Sequence, residues 1–181
     1  QRQMCIRDSI YGITAPSGTG KTTLLNLIGN ILKPAQGEIE TDFKTGIAYV
    51  FQEPELLSQL TIAENIALPL AAYLKKEIAF EQAISILQKM ELDGFENRFP
   101  NELSFGQQQR AAIARALTYP SPLLLMDEPF KGLDEALSRR IIKRIRERQT
   151  ENGQTILFTS HNPGELRLFA DKTVRLDPTS H

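Results

Sequence analysis

The run Ala15-Pro16-Ser17-Gly18-Thr19-Gly20-Lys21-Thr22-Thr23 is the first place where residue types and spacing specify chemistry. Gly18 and Gly20 let successive backbone N–H groups turn towards one anion, and a helix starting near Lys21 adds its positive end. Lys21 is long enough to reach the outer oxygens of a polyphosphate, and Thr22 offers a hydroxyl to Mg2+. Ser17, Thr19 and Thr23 belong to the same cradle. A Gly-rich turn that only joins strand to helix is the plainer alternative. Ala15 stands where such loops usually begin with Gly; a Cβ costs about 1–2 kcal/mol there only at positive φ, so negative φ is expected.

A second constellation is Leu123-Leu-Leu-Met126 followed by Asp127, Glu128 and Pro129, an apolar strand ending in two acids. In open α/β sheets ligands gather at the carboxyl ends of strands, so both carboxylates should face the bound phosphates. Asp127 suits Mg2+, directly or through its water, and Glu128 suits orienting and deprotonating an attacking water. These two constellations together describe a nucleotide hydrolase or a kinase. A third, Leu103-Ser104-Phe105-Gly106-Gln107, reads by itself as a helix start: Ser104 is a good N-cap and Gln107 completes a capping box.

Bringing these distant segments together needs a scaffold, and the hydrophobic periodicity supplies one. Ile10–Thr14, Gly46–Phe51, Leu123–Met126, Thr155–Thr159 and Lys172–Leu176 read as strands bounded by Gly, Pro, Asn or Asp. Helical segments between them predict an α/β unit with a mostly parallel, covered sheet. Thr22–Ile31 reads as a helix whose Leu24, Leu25, Leu27, Ile28 and Ile31 cover more than one face, which places it inside, against the sheet. Asn30 tolerates a left-handed cap and Pro34 prevents continuation.

Between Gln52 and Ser104 the strand signal disappears. Ile78–Met90 puts Ala79 or Phe80, Ala83, Ile84, Leu87 and Met90 on one helical face, stopped by Gly94, so residues 53–104 form a helical insertion. A further helix, Glu135–Thr150, turns Leu137, Ile141, Ile142 and Ile145 inward, with Arg139, Arg140, Lys143, Arg144, Arg146 and Arg148 mostly outward. That basic face suits an acidic partner or is simply solvated, cations being favoured towards a helix C-terminus.

With 181 residues, 41% hydrophobic and 24% charged, the chain has the composition of one globular domain, assigned to residues 10–181. Twenty-one Lys and Arg against 22 Asp and Glu give a net charge of −1 and no global field for nucleic acid or anionic membrane. The longest apolar stretch, Ile66–Leu74, is broken by Pro69 and falls short of the roughly 20 residues that span a bilayer. A lone cysteine, Cys5, excludes an internal disulfide and fits a reducing, cytosolic compartment. Met4-Cys-Ile-Arg-Asp-Ser9 resembles one reading frame of a transposon adapter used in sequencing libraries, so residues 1–9, with Cys5, are expected to be non-native; an ordinary frayed terminus is the alternative.

Because Leu103–Gln107 precedes the acidic strand, the chain from Ile10 to Leu176 resembles the ATP-binding cassette (ABC) ATPases, whose signature is Leu-Ser-Gly-Gly-Gln. The resemblance implies a P-loop nucleoside triphosphate hydrolase core with an inserted helical subdomain, using ATP and Mg2+. Gln52 matches the glutamine that touches Mg2+ and the lytic water and links the insertion to the membrane subunit. Phe130-Lys-Gly-Leu-Asp134 matches the D-loop, and His161 matches the switch histidine that contacts the γ-phosphate. Two subunits of the family pair head to tail, so Ser104, Gly106 and Gln107 would serve the nucleotide of the facing subunit, and the isolated chain should be a poor ATPase. Phe105 departs from the signature and would set an aromatic ring near that facing γ-phosphate.

Family members also stack an aromatic side chain upstream of the P-loop on adenine. Tyr11 lies too close to Lys21 for that, so weak nucleotide binding and poor discrimination between ATP and GTP are expected. Phe51–Leu57, Leu60–Ile66 and Asp127–Phe130 look most like importers of the nitrate, sulfonate and taurine type, although those usually carry Pro-Trp at Ser58-Gln59. The implied setting is peripheral, on the cytoplasmic face of the membrane. The implied partners are a second ATPase subunit, forming an ATP-dependent homodimer, transmembrane permease subunits and a substrate-binding protein, with no nucleic acid. A non-transport cassette acting on DNA or ribosomes is the alternative; a P-loop kinase leaves Leu103–Gln107 unexplained.

Overall fold

Short runs of Ile, Leu, Val and Thr make five strands: β1 (Ile10–Thr14), β2 (Ala48–Val50), β3 (Leu123–Asp127), β4 (Thr155–Thr159) and β5 (Lys172–Arg175). They form one sheet in the order β2-β3-β4-β1-β5, and every pairing among them is parallel. The computed structural model describes residues 8–16, 18–39 and 46–176. The readings of Ser17 and Cys5, and most of the segment 1–9, lie outside these residues.

Alternation along the strands divides the core in two. On one face Ile10, Val50, Leu124, Met126, Ile156 and Phe158 pack with the helical insertion and the later helices. On the other, Tyr11, Ile13, Leu123, Leu125 and Leu157 pack with Leu25 of α1 (Lys21–Ile28). β3 and β4 are buried at every position, as strands covered on both faces require. Their register sets Asp127 beside Thr159 at one end of the sheet.

The insertion contains α2 (Ile62–Ala67) and α3 (Lys76–Lys89), with one-turn 3-10 segments at Leu68–Leu70 and Pro100–Glu102. Then come α4 (Phe105–Thr118), α5 (Glu135–Asn152) and α6 (Pro163–Phe169). Asn65 is fully buried and holds the insertion's entry. Its Nδ2 donates to the carbonyls of Leu57, Leu60 and Thr61, and its Oδ1 accepts from Leu57 N–H.

Two expectations, for α1 and α3, are corrected. The helix expected over Thr22–Ile31 ends at Ile28, because Gly29 caps it and Asn30 turns left-handed at φ 56. Only Leu25 of that helix is fully buried and Ile31 is 51% exposed, since one face rests on the sheet and nothing among the described residues covers the other. In α3 the buried stripe is Ala79, Ala83, Ile86, Leu87 and Met90; Ile84 points outward because α2 and α4 pack against the stripe centred on Ala83 and Leu87. The basic face of α5 is mostly exposed, as its solvated alternative has it, and most of its charges meet acids of the same chain. Arg140 pairs with Glu91, Arg139 with Glu135, Arg144 with Glu147 and Arg146 with Asp171, while Arg148 donates to Leu117 O.

Candidate active site

The loop between β1 and α1 leaves a helix N-terminus bare. Its N-cap, Gly20, sits at φ 89, has no side chain to cap the helix, and follows Gly18 at φ 78. A Cβ at either glycine would meet nothing within 4 Å, so the loop borders open space that a phosphate could enter. Thr19 is tied back to Pro16 by its backbone N–H at 3.4 Å and by its hydroxyl. The Lys21 ammonium folds over the loop, donating to Ala15 O at 3.0 Å and Pro16 O at 3.3 Å. Ala15 is not among the described residues with positive φ, so its Cβ is accommodated without strain.

Across the gap stands the end of β3. Asp127 is 2% exposed and both its oxygens are engaged: Thr22 Oγ1 donates to Oδ2 at 2.6 Å and Thr159 Oγ1 donates to Oδ1 at 2.6 Å. The same Thr159 hydroxyl accepts from Glu128 N–H at 2.9 Å, while the Glu128 backbone turns to φ 47. That turn carries the Glu128 carboxylate out of the strand to His161, with Nδ1 2.8 Å from Oε2. Below His161, Ser160 Oγ donates to Glu165 Oε2 at 2.5 Å, and burial pushes the Glu165 carboxyl above its ordinary range.

A cavity of about 370 Å³ separates the two sides. Gly18, Gly20, Lys21, Thr22 and Thr23 line it on the loop side, and Gln52, Asp127 and Glu128 on the other. The chain therefore converges on one space from three segments far apart in sequence. Tyr11, at 3% exposure, is packed in the core and unavailable to stack on a base.

Mg2+ and a nucleotide triphosphate fit this donor set. Among the described residues no group of three or more His, Cys, Asp or Glu could hold a metal unaided. One carboxylate and one hydroxyl, the pair Asp127–Thr22, are what Mg2+ uses when phosphates and water complete its shell. The loop glycines leave the room those phosphates need.

Ser104, Gly106 and Gln107 do not line the cavity. Ser104 caps α4 through a capping box, its Oγ accepting from Gln107 N–H at 3.4 Å and its N–H donating to Gln107 Oε1 at 2.8 Å. Phe105 lies against its own chain's turn at Lys131–Gly132, where a Cβ at Gly132 would come within 2.7 Å of the ring. Sequence reasoning missed Thr159, whose hydroxyl orients both acids. Its signal was its place at a strand end beside Ser160-His161. It also missed Gln109 and Arg115 of α4, which donate to Phe51 O at 3.4 Å and Pro54 O at 3.3 Å and so brace the Gln52 segment.

The family profile described as ABC transporter matches residues 4–131. The chain belongs to the ABC transporter family. It is 38% identical over 178 residues to the thiamine import ATP-binding protein ThiQ of Shigella flexneri serotype 5b, and equally to that of Escherichia coli O157:H7, covering 93% of this chain and 77% of each relative. Among solved structures it resembles the dimeric bacterial ABC transporter cassette MJ0796, with a TM-score of 0.84, 34% identity and coverage of 94% of this chain and 82% of that one. A dimer of the same cassette in a post-hydrolysis state with ADP and Pi matches at 0.84 and 33%. This chain is thus an ATP-binding, ATP-hydrolysing subunit of an ABC transporter, with the parallel-sheet P-loop fold expected. The named relatives are import proteins, which leaves the DNA- or ribosome-acting alternative without support. Among the described residues no helix is long and apolar enough to cross a membrane.

Proposed function

We propose that this subunit binds Mg·ATP in the 370 Å³ cavity, pairs head to tail with a second copy, and powers import through permease subunits at the cytoplasmic membrane face. The observation that carries this reading is the convergence of the uncapped loop, Thr22, Asp127, Glu128 and Gln52 on one space.

In this reading the N–H groups of Gly18 and Gly20 and the Lys21 ammonium bind the phosphates, with Ser17, Thr19 and Thr23 alongside. Thr22 and Asp127, with Gln52 beside them, would hold Mg2+, which would supply charge neutralisation on the phosphate oxygens. Glu128 accepts a proton from the attacking water, and its bond to His161 keeps the carboxylate aimed at the γ-phosphate end. Thr159, bonded to Asp127 and to Glu128 N–H, keeps the two acids in separate roles. Ser104, Gly106 and Gln107 present a second helix N-terminus, at the start of α4, to the nucleotide of the facing subunit.

Import is supported twice, by the sequence resemblance to nitrate, sulfonate and taurine importers and by the similarity to thiamine import proteins. These agree on direction and differ on cargo, which fits a motor that never touches the transported molecule; a substrate-binding protein would supply that selectivity. The test is co-purification from membranes with the ATPase assayed in the complex. A polytopic permease that raises ATP turnover is the expected partner, and recovery of RNA or DNA alone would overturn the reading.

A further inference from the structure

The turn after Glu128 does more than leave the strand. Lys131 N–H closes on Glu128 O at 3.1 Å and Leu133 N–H on Phe130 O at 3.1 Å, so the turn is fixed to the acidic strand end. The start of α4 is keyed into it from two sides. A Cβ at Gly132, where φ is 79, would stand 2.7 Å from the Phe105 ring, and one at Gly106 would stand 2.8 Å from Gly132 O. Only glycine at both positions permits this approach. The Lys131 ammonium lies 5.5 Å from the centre of the Phe105 ring and forms an ion pair at 3.1 Å with Glu53, the residue after Gln52.

One residue thus joins three segments. Phe105 belongs to the turn read as serving the facing nucleotide, while Glu53 and the Glu128 turn belong to the subunit's own site. We propose that Lys131 is a positioning residue that couples the two, setting the Ser104–Gly106 turn according to the state of its own chain's Gln52 and Glu128. The proposal rests on the head-to-tail reading given above. Phe105, the departure from the family signature, is the contact through which the coupling acts, and Gly132 makes room for it. A lysine is suited to the task because one flexible stem satisfies a carboxylate and a ring face together.

The test uses the full chain carrying Glu128→Gln, with Mg·ATP, and measures the dimerisation constant by sedimentation. Lys131→Met is expected to weaken ATP-dependent dimerisation by about threefold to tenfold, the range of an exposed cation–π contact plus a surface ion pair. ATP affinity of the monomer should not change. Lys131→Arg should restore dimerisation, and Glu53→Gln combined with Lys131→Met should be no weaker than Lys131→Met alone, because both cut the same bridge. Wild-type dimerisation in Lys131→Met, failure of arginine to rescue, or losses that simply add would each overturn the proposal. Absence of ATP-dependent dimers in the parent Glu128→Gln protein would instead overturn the head-to-tail reading, and the coupling with it.

Discussion

Glu128 occupies the left-handed region at φ 47, which costs a non-glycine residue about 1–3 kcal/mol. The surroundings hold it there: its N–H is caught by Thr159 Oγ1, its C=O by Lys131 N–H and its carboxylate by His161. Without that turn the side chain would continue the alternation of β3 and leave the cavity, so the strain is what separates its role from that of Asp127. Glu128→Gln preserves the shape and removes the base. Turnover in the permease complex should fall about 10²–10⁴-fold, the usual contribution of a positioned acid–base group, while ATP binding persists and ATP-bound dimers accumulate. Steady-state ATPase and gel filtration check this, and wild-type turnover would take Glu128 out of the role.

At the scale of elements, Asp171 joins three of them. Its Oδ2 accepts from Ile10 N–H at the start of β1 at 2.9 Å, and its Oδ1 accepts from Arg146 of α5 at 2.7 Å, beside the end of α6. Burial raises its pKa, but the Ile10 bond and the Arg146 charge outweigh burial and hold the carboxyl below its ordinary value. A depressed acid adds stability above its unfolded pKa of about 3.9, and that stability is lost as pH falls through the folded value. Stability should therefore decline as pH falls below about 4, and Asp171→Asn should flatten that part of the curve. At pH 7 the variant should lose about 1 kcal/mol, a modest figure because the pair is partly exposed. Urea titrations across pH decide it: parallel curves for the two proteins would assign the acid sensitivity elsewhere.

For the whole molecule, the decisive feature is that the two helix N-termini suited to phosphate face different spaces. That of α1 opens on the cavity, and that of α4 lies outside it with only Ser104 and Gln107 satisfying each other. In the head-to-tail reading proposed above a second copy would supply the missing half; the similar cassette MJ0796 is a dimer. Ser104→Arg should place a bulky cation in the shared site and abolish ATP-dependent dimerisation, leaving monomeric nucleotide binding at the Lys21 loop intact. Sedimentation with and without ATP, paired with calorimetry, measures both; loss of monomer binding with dimerisation retained would reverse the assignment.

What the sequence determined by itself was the set of local signals whose physics is short-range. Gly18, Gly20 and Lys21 describe their loop through backbone freedom and charge, Asp127-Glu128 through strand-end chemistry, and Ser104–Gln107 through a capping box that the chain closes on its own. Strand periodicity likewise marked β1 and β4 to the residue. The rest depended on partners distant in the chain. Thr159 became an orienting group only because the β3–β4 register sets it beside Asp127. The buried face of α3 settled on Ile86 instead of Ile84 because two helices choose the stripe they cover. Phe105 found its contact within the chain because Gly132, brought near by the fold, leaves room for a ring. Such choices turn on which surface packs against which, and a one-dimensional pattern of apolar and polar residues fixes the period of a face without fixing its partner.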